Sequence, residues 1–165
     1  MKINNNQKGL NTIEIVVTLC LIVVLLIISA FSLNKSKQKT RDEKRKTDIT
    51  QIGRLMTKGC YLPARGAGEY DTAEIIEEIK KMDPNQASYL MGDLRDPEAP
   101  ANKSLYKYRV DSKGKHCVLY TNLENNNATV TLNDINKPTM GGKTGVFKAI
   151  QKGWNGSKKY YQFSK

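Results

Sequence analysis

Only one histidine, His116, occurs in the chain, and the three cysteines include no CxxC pair. This leaves no His or Cys set at zinc spacing and no thioredoxin-like motif. His116 falls in an alternating stretch and reads as a strand residue rather than a ligand or base. No proline occurs from residue 10 to residue 57, so nothing breaks a helix there except the weak former Gly53. No acidic residue follows Asp134, so the chain ends in a purely basic tail. No catalytic constellation is present, and no enzyme activity is expected.

Against these absences stands one long apolar run. Leu10 to Leu33 is about 24 residues, roughly 36 Å as a helix, long enough to cross the hydrocarbon core of a bilayer. Its only charge is Glu14. A carboxylate just inside such a segment is costly and asks for a partner. The simpler reading is a signal anchor in which Glu14 lies at headgroup level. A cut after Gly9 would place an ammonium at Leu10, four residues from Glu14, within reach along one helix. In a staggered bundle of identical helices, Glu14 would pair instead with a neighbour's terminus and fix axial register.

Residues Lys8-Gly9-Leu10-Asn11-Thr12-Ile13-Glu14, behind a nine-residue polar and basic segment and ahead of the apolar run, resemble the class III leader of type IV pilins. The pseudopilins of type II secretion and competence systems share that leader. Leu10 stands where the family commonly has Phe, and Asn11-Thr12 replaces its Thr-Leu pair. The resemblance implies that a prepilin peptidase cuts after Gly9 and methylates Leu10, and that Glu14, at the fifth mature position, acts in assembly. The expected fold is α+β and pilin-like: a long N-terminal helix, membrane half plus stalk half, packed on a small antiparallel sheet. The parts are a leader at 1–9, a transmembrane half at 10–33, a stalk half at 34–58 and a globular domain at 59–165. The expected location is the cytoplasmic membrane, crossed once, then a cell-surface or periplasmic filament of identical subunits. Attachment, motility, secretion and DNA uptake all stay open as its role. The alternative is an unprocessed signal-anchored membrane protein with a small binding domain.

The net charge of +11 is unevenly placed. Residues 34–46 carry +5 and residues 137–165 carry +7, whereas 47–136 carry −2. A positive-inside count puts the first of these flanks, and the domain behind it, in the cytoplasm. The leader requires the opposite, and being position-specific it is preferred. Ile49, Ile52, Leu55 and Met56 make a stripe at helical spacing, so the helix is expected to meet the domain only near its end. The charges of Arg41 to Asp48 read as a solvated helix face, with anionic headgroups or nucleic acid as the other reading.

Gly59 to Tyr70 reads as a loop. A short helix follows, with Asp71 and Glu74 as a capping box, Ile75, Ile76, Ile79 and Met82 as its apolar face, and Asp83-Pro84 as its stop. Asp93, Asp96 and Glu98 lie where type II pseudopilins have an acidic segment near a calcium site. They are read as a solvated loop, with calcium the weaker option. Leu105–Val110 and His116–Thr121 alternate around the turn Asp111-Ser112-Lys113-Gly114 and predict a hairpin; Ala128–Leu132 is a third strand candidate. Cys60 and Cys117 fall in the exported domain, where a disulfide is permitted by compartment though not established by sequence. Gly142-Lys143-Thr144 lacks the upstream glycine of a phosphate loop, since that place is Lys137. The tail's lysines and aromatics have two readings: a last strand closing the sheet, or a surface for single strands or carbohydrate. DNA is the specific partner expected of it, through its seven lysines.

Overall fold

A computed structural model describes residues 11–56, 59–84, 90 and 92–165, the side chains of 30 and 31 aside. Gly9 and Leu10 therefore lie outside the described residues. The chain divides into two units, Met1–Lys37 and Gln38–Lys165. One helix, α1 (Thr12–Leu55), runs from the first into the second. Beyond it come β1 (Gly68–Asp71), α2 (Thr72–Met82), β2 (Lys107–Val110), β3 (Cys117–Asn122), β4 (Gly145–Lys148) and β5 (Lys159–Ser164). The five strands form one antiparallel sheet in the order β1-β2-β3-β5-β4, and the fold is α+β as expected.

In the second unit, the end of α1 and one face of α2 share one core with the sheet. Ile49, Ile52 and Met56 of α1 and Ile75, Ile76 and Ile79 of α2 are buried with Tyr106, Tyr108, Val110 and Leu119. Gly53 is where helix and sheet come closest: a Cβ built there would lie 2.4 Å from the Phe163 ring of β5. The helix thus tolerates its one poor former because any side chain at that position would push α1 off the sheet.

Several expectations need correction. The stretch read as a loop up to Tyr70 ends in β1, a four-residue edge strand that pairs only with β2 and shows no alternation of burial. Met82 is 74% exposed and is not part of the buried face of α2. Asp71 caps α2 by accepting from the Ala73 amide at 2.9 Å, but Glu74 turns away to Arg65, so the box is not reciprocal. Residues 128–132 form no strand; they contribute a single parallel bridge, Leu132 to Phe147. The tail supplies two strands rather than one, β4 and β5, and β5 is inserted between β3 and β4.

Candidate functional site

In the first unit, α1 carries large apolar side chains that nothing in the described chain covers. Ile13 is 71% exposed, and Leu19, Leu21, Leu25 and Leu26 are likewise open. Continuous apolar surface of this kind requires a non-aqueous environment or a partner. This is the one helix among the described residues that is long and apolar enough to cross a membrane. Glu14 lies in its first turn, where the free N–H groups favour an anion. Its side chain is exposed and has no protein partner among the described residues.

In the second unit, the same helix does something the sequence reading missed. Of the face expected to be solvated at 41–48, Glu43 and Lys46 do form a surface pair, but Arg41, Asp42, Lys44, Arg45 and Asp48 belong to an ion-pair network anchored inside the domain. Arg45 has no exposed surface. Its Nε donates to Asp96 Oδ2 at 2.5 Å and its Nη2 to Asp96 Oδ1 at 2.9 Å, a two-pronged grip; its Nη1 donates to Asp42 Oδ1 at 2.9 Å and to Glu124. Arg41 also holds Glu124, through Nε at 2.7 Å and through Nη2. Asp42 accepts in addition from the backbone amides of Glu124 and Asn125, at 2.8 and 2.9 Å. One turn further along, Asp48 accepts from Lys44 Nζ at 2.5 Å and from the Tyr106 hydroxyl at 2.8 Å. The Trp154 ring centroid lies 5.3 Å from the Arg45 guanidinium carbon. A signal was present: Asp42 and Arg45 continue the Ile49, Ile52, Met56 stripe at steps of three and four residues, so they share its inward face.

The acids that suggested calcium are divided by this network. Asp96 serves Arg45 and the Glu98 amide, and Asp93 pairs with Arg95 at 2.6 Å. Glu98 lies 3.5 Å from Arg41 and 3.9 Å from Arg45. They do not converge on a common point, and among the described residues no group of three His, Cys, Asp or Glu side chains is placed to hold a metal. The cation that Asp96 holds is a guanidinium.

The network titrates in opposing senses. Burial alone would raise the Glu124 carboxyl, but hydrogen bonds from Arg41 and Arg45 outweigh it and hold it below its ordinary 4.5. At Asp71, bonds from Ser104 and the Ala73 amide likewise outweigh burial. At Asp48 burial prevails over the bonds from Lys44 and Tyr106, and the carboxyl is raised above 3.8. The stability supplied by Glu124 and Asp71 is present above their ordinary values and is lost as pH falls through the lowered ones. The Asp48 contribution has the reverse sign, complete below 3.8 and lost as pH rises through its raised value. Arg95 holds the Asp93 carboxyl low as well, and at Asp111 bonds from amides and His116 outweigh desolvation and hold it low. Four lowered carboxyls thus stand against the one raised at Asp48, and the urea midpoint is expected to fall as pH drops from about 4.5 to about 3. A midpoint that held or rose over that interval would contradict this assignment.

The remaining expected residues are placed as follows. Cys60 and Cys117 are joined in a disulfide, Cα–Cα 5.8 Å, tying the chain just after α1 to the first residue of β3. Cys20 is free and exposed on α1. His116 falls one residue before β3, with Nδ1 3.1 Å from Asp111 Oδ2. The tail lysines are divided: Lys137 lies with the Tyr120 and Tyr160 rings, and others lie on the opposite side of the sheet. Lys148 and Lys159 are cross-strand partners adjoining the Phe147–Tyr160 pair, so they point to the opposite side of the sheet from those rings. Lys165 donates to the Met56 carbonyl at 3.3 Å.

What fold and site define together is an α+β domain held on the last turns of a helix whose first turns have no cover within the described chain. Compared with known proteins, the chain matches no family model, no curated protein and no solved structure.

Proposed function

We propose that the chain is a pilin-like subunit: inserted in the cytoplasmic membrane by α1, cut after Gly9 by a prepilin peptidase that methylates Leu10, then packed through the same helix into a filament. The observation that carries this reading is the contrast within α1. Residues such as Ile13, Leu25 and Leu33 are open, whereas Ile49, Ile52 and Met56 are buried in their own domain. Lipid covers the open half before assembly, and neighbouring copies cover it afterwards. In the filament Glu14 pairs with the new terminus of an adjacent subunit and sets the stagger. The basic flank is the main support for the alternative, an unprocessed anchored protein. Arg41, Lys44 and Arg45 serve carboxylates of the domain, which accounts for three of its charges without reference to membrane orientation.

The test is the intact mass and N-terminal sequence of protein from native membranes and from sheared cell surfaces. A chain beginning at N-methylated Leu10 and present in the sheared fraction is expected. Glu14→Ala is expected to leave processing intact and to reduce filaments at least tenfold. A chain that still begins at Met1, confined to the membrane, would overturn the reading.

A further inference from the structure

The side of the sheet that carries Tyr120 and Tyr160 holds a cleft of about 330 Å³. Its walls come from three places: the strands give Tyr120 and Tyr160, the segment between β3 and β4 gives Asn136 and Lys137, and the loop between β4 and β5 gives Ile150 and Gln151. The two rings are tilted at 52°, with centroids 6.4 Å apart, and Phe147 stacks on Tyr160 at 5.5 Å, which fixes its plane. The Tyr120 hydroxyl is already committed, donating to Glu69 Oε2 at 2.5 Å.

The other polar groups of the cleft are uncommitted. Among the described residues nothing hydrogen-bonds the Tyr160 hydroxyl, the Asn136 and Gln151 amides or the Lys137 ammonium. Ile150, on the rim, is 68% exposed, a large apolar side chain left in water beside them. A cleft that combines aromatic walls with a few convergent polar groups is the usual form of a small-ligand site.

We propose that this cleft binds a saccharide residue that carries a carboxylate. A pyranose presents an apolar C–H face and a ring of hydroxyls that each donate and accept. Tyrosine rings and Ile150 suit the face. The two side-chain amides, each with a donor end and an acceptor end, suit the hydroxyls. Lys137 is the one cation in the lining and no carboxylate lines the cleft, so a sugar acid is preferred over a neutral sugar. A nucleic-acid strand fits less well, because a strand needs a cationic track along successive phosphates. Lys107, cross-strand from Tyr120, and Arg109 are the further cations on that side, but Glu69 is the cross-strand partner of Arg109 and takes the Tyr120 hydroxyl, and Lys148 and Lys159 point to the other side of the sheet. The inference concerns binding by the domain and does not rest on filament assembly.

The experiment uses the full chain, isotope-labelled, in phosphocholine micelles, so that no sugar-headed detergent competes. Trigalacturonate, neutral galactotriose and a six-residue thymidine oligonucleotide are titrated while the side-chain amide signals of Asn136 and Gln151 are followed. Trigalacturonate is expected to move both signals, and Lys137→Ala to weaken its binding about fivefold. Asn136→Ala with Gln151→Ala, both at exposed positions, is expected to weaken it at least tenfold while the backbone spectrum elsewhere stays unchanged. No response to trigalacturonate would overturn the proposal. So would equal binding of galactotriose with Lys137→Ala silent, or tighter binding of the oligonucleotide at the same two amides.

Discussion

Arg45→Ala is expected to destabilise the domain by about 3–5 kcal/mol, the range for removing one partner of a buried ion pair. Removing the guanidinium leaves Asp42, Asp96 and Glu124, all buried or nearly so, with one another and without their shared cation. Arg41 still reaches Glu124 but none of its bonds goes to Asp96. Arg45→Lys is expected to recover only part of the loss, because a single ammonium cannot grip both oxygens of Asp96 while also serving Asp42 and Glu124. Trp154 is the only tryptophan and lies beside Arg45, so its fluorescence reports the transition directly. Thermal unfolding of the full chain in micelles should show a midpoint lowered on the order of 10 °C for the alanine variant. An unchanged midpoint would show that the network is not formed. The two-pronged grip of Arg45 on Asp96 is expected to contribute specificity, by favouring the one turn of α1 that can face that carboxylate.

Loss of the Cys60–Cys117 cross-link is the second large effect. The two residues are 57 apart in sequence, and the closed loop contains β1, α2 and β2. Constraining a loop of that length in the unfolded chain contributes about 4 kcal/mol on the chain-entropy account. Cys60→Ser with Cys117→Ser, or reduction with a phosphine, is therefore expected to lower the urea midpoint strongly. Equal midpoints with and without reductant would show that the bond is not made. The same bond also tests location. Thiol blocking in native membranes should leave Cys60 and Cys117 unlabelled until reductant is added, as in an oxidising compartment. Labelling of Cys60 without reductant would place the domain on the reducing side and favour the unprocessed alternative.

Some of this was readable from one chain because the signals are local. The long helix followed from an apolar run and a polar stretch free of proline. The hairpin of β2 and β3 followed from alternation around Asp111 to Gly114, and the register that pairs Val110 with Cys117 matches it. The cap at Asp71 and the stop at Asp83-Pro84 were local too. β1 was missed because four residues on a sheet edge, Gly-Glu-Tyr-Asp, carry no periodicity of their own; β2 imposes their conformation. Val130 to Leu132 has strand composition, but the partner available to it offers one bridge and no more.

The candidate site divides along the same line. Glu14 is conspicuous in sequence because it is the only charge in an apolar run, and chain position alone makes it costly. By sequence alone, then, the chain determined its long helix, its hairpin and the contrast between the halves of α1. Only the tertiary structure decided that Arg45 is buried, that Asp96 holds a guanidinium, that Cys60 meets Cys117, and that Tyr120, Asn136, Gln151 and Tyr160 line one cleft. The reason is distance along the chain: Arg45 meets partners 51 and 79 residues away, and a charge reads as solvated until the fold brings its counter-charges to it.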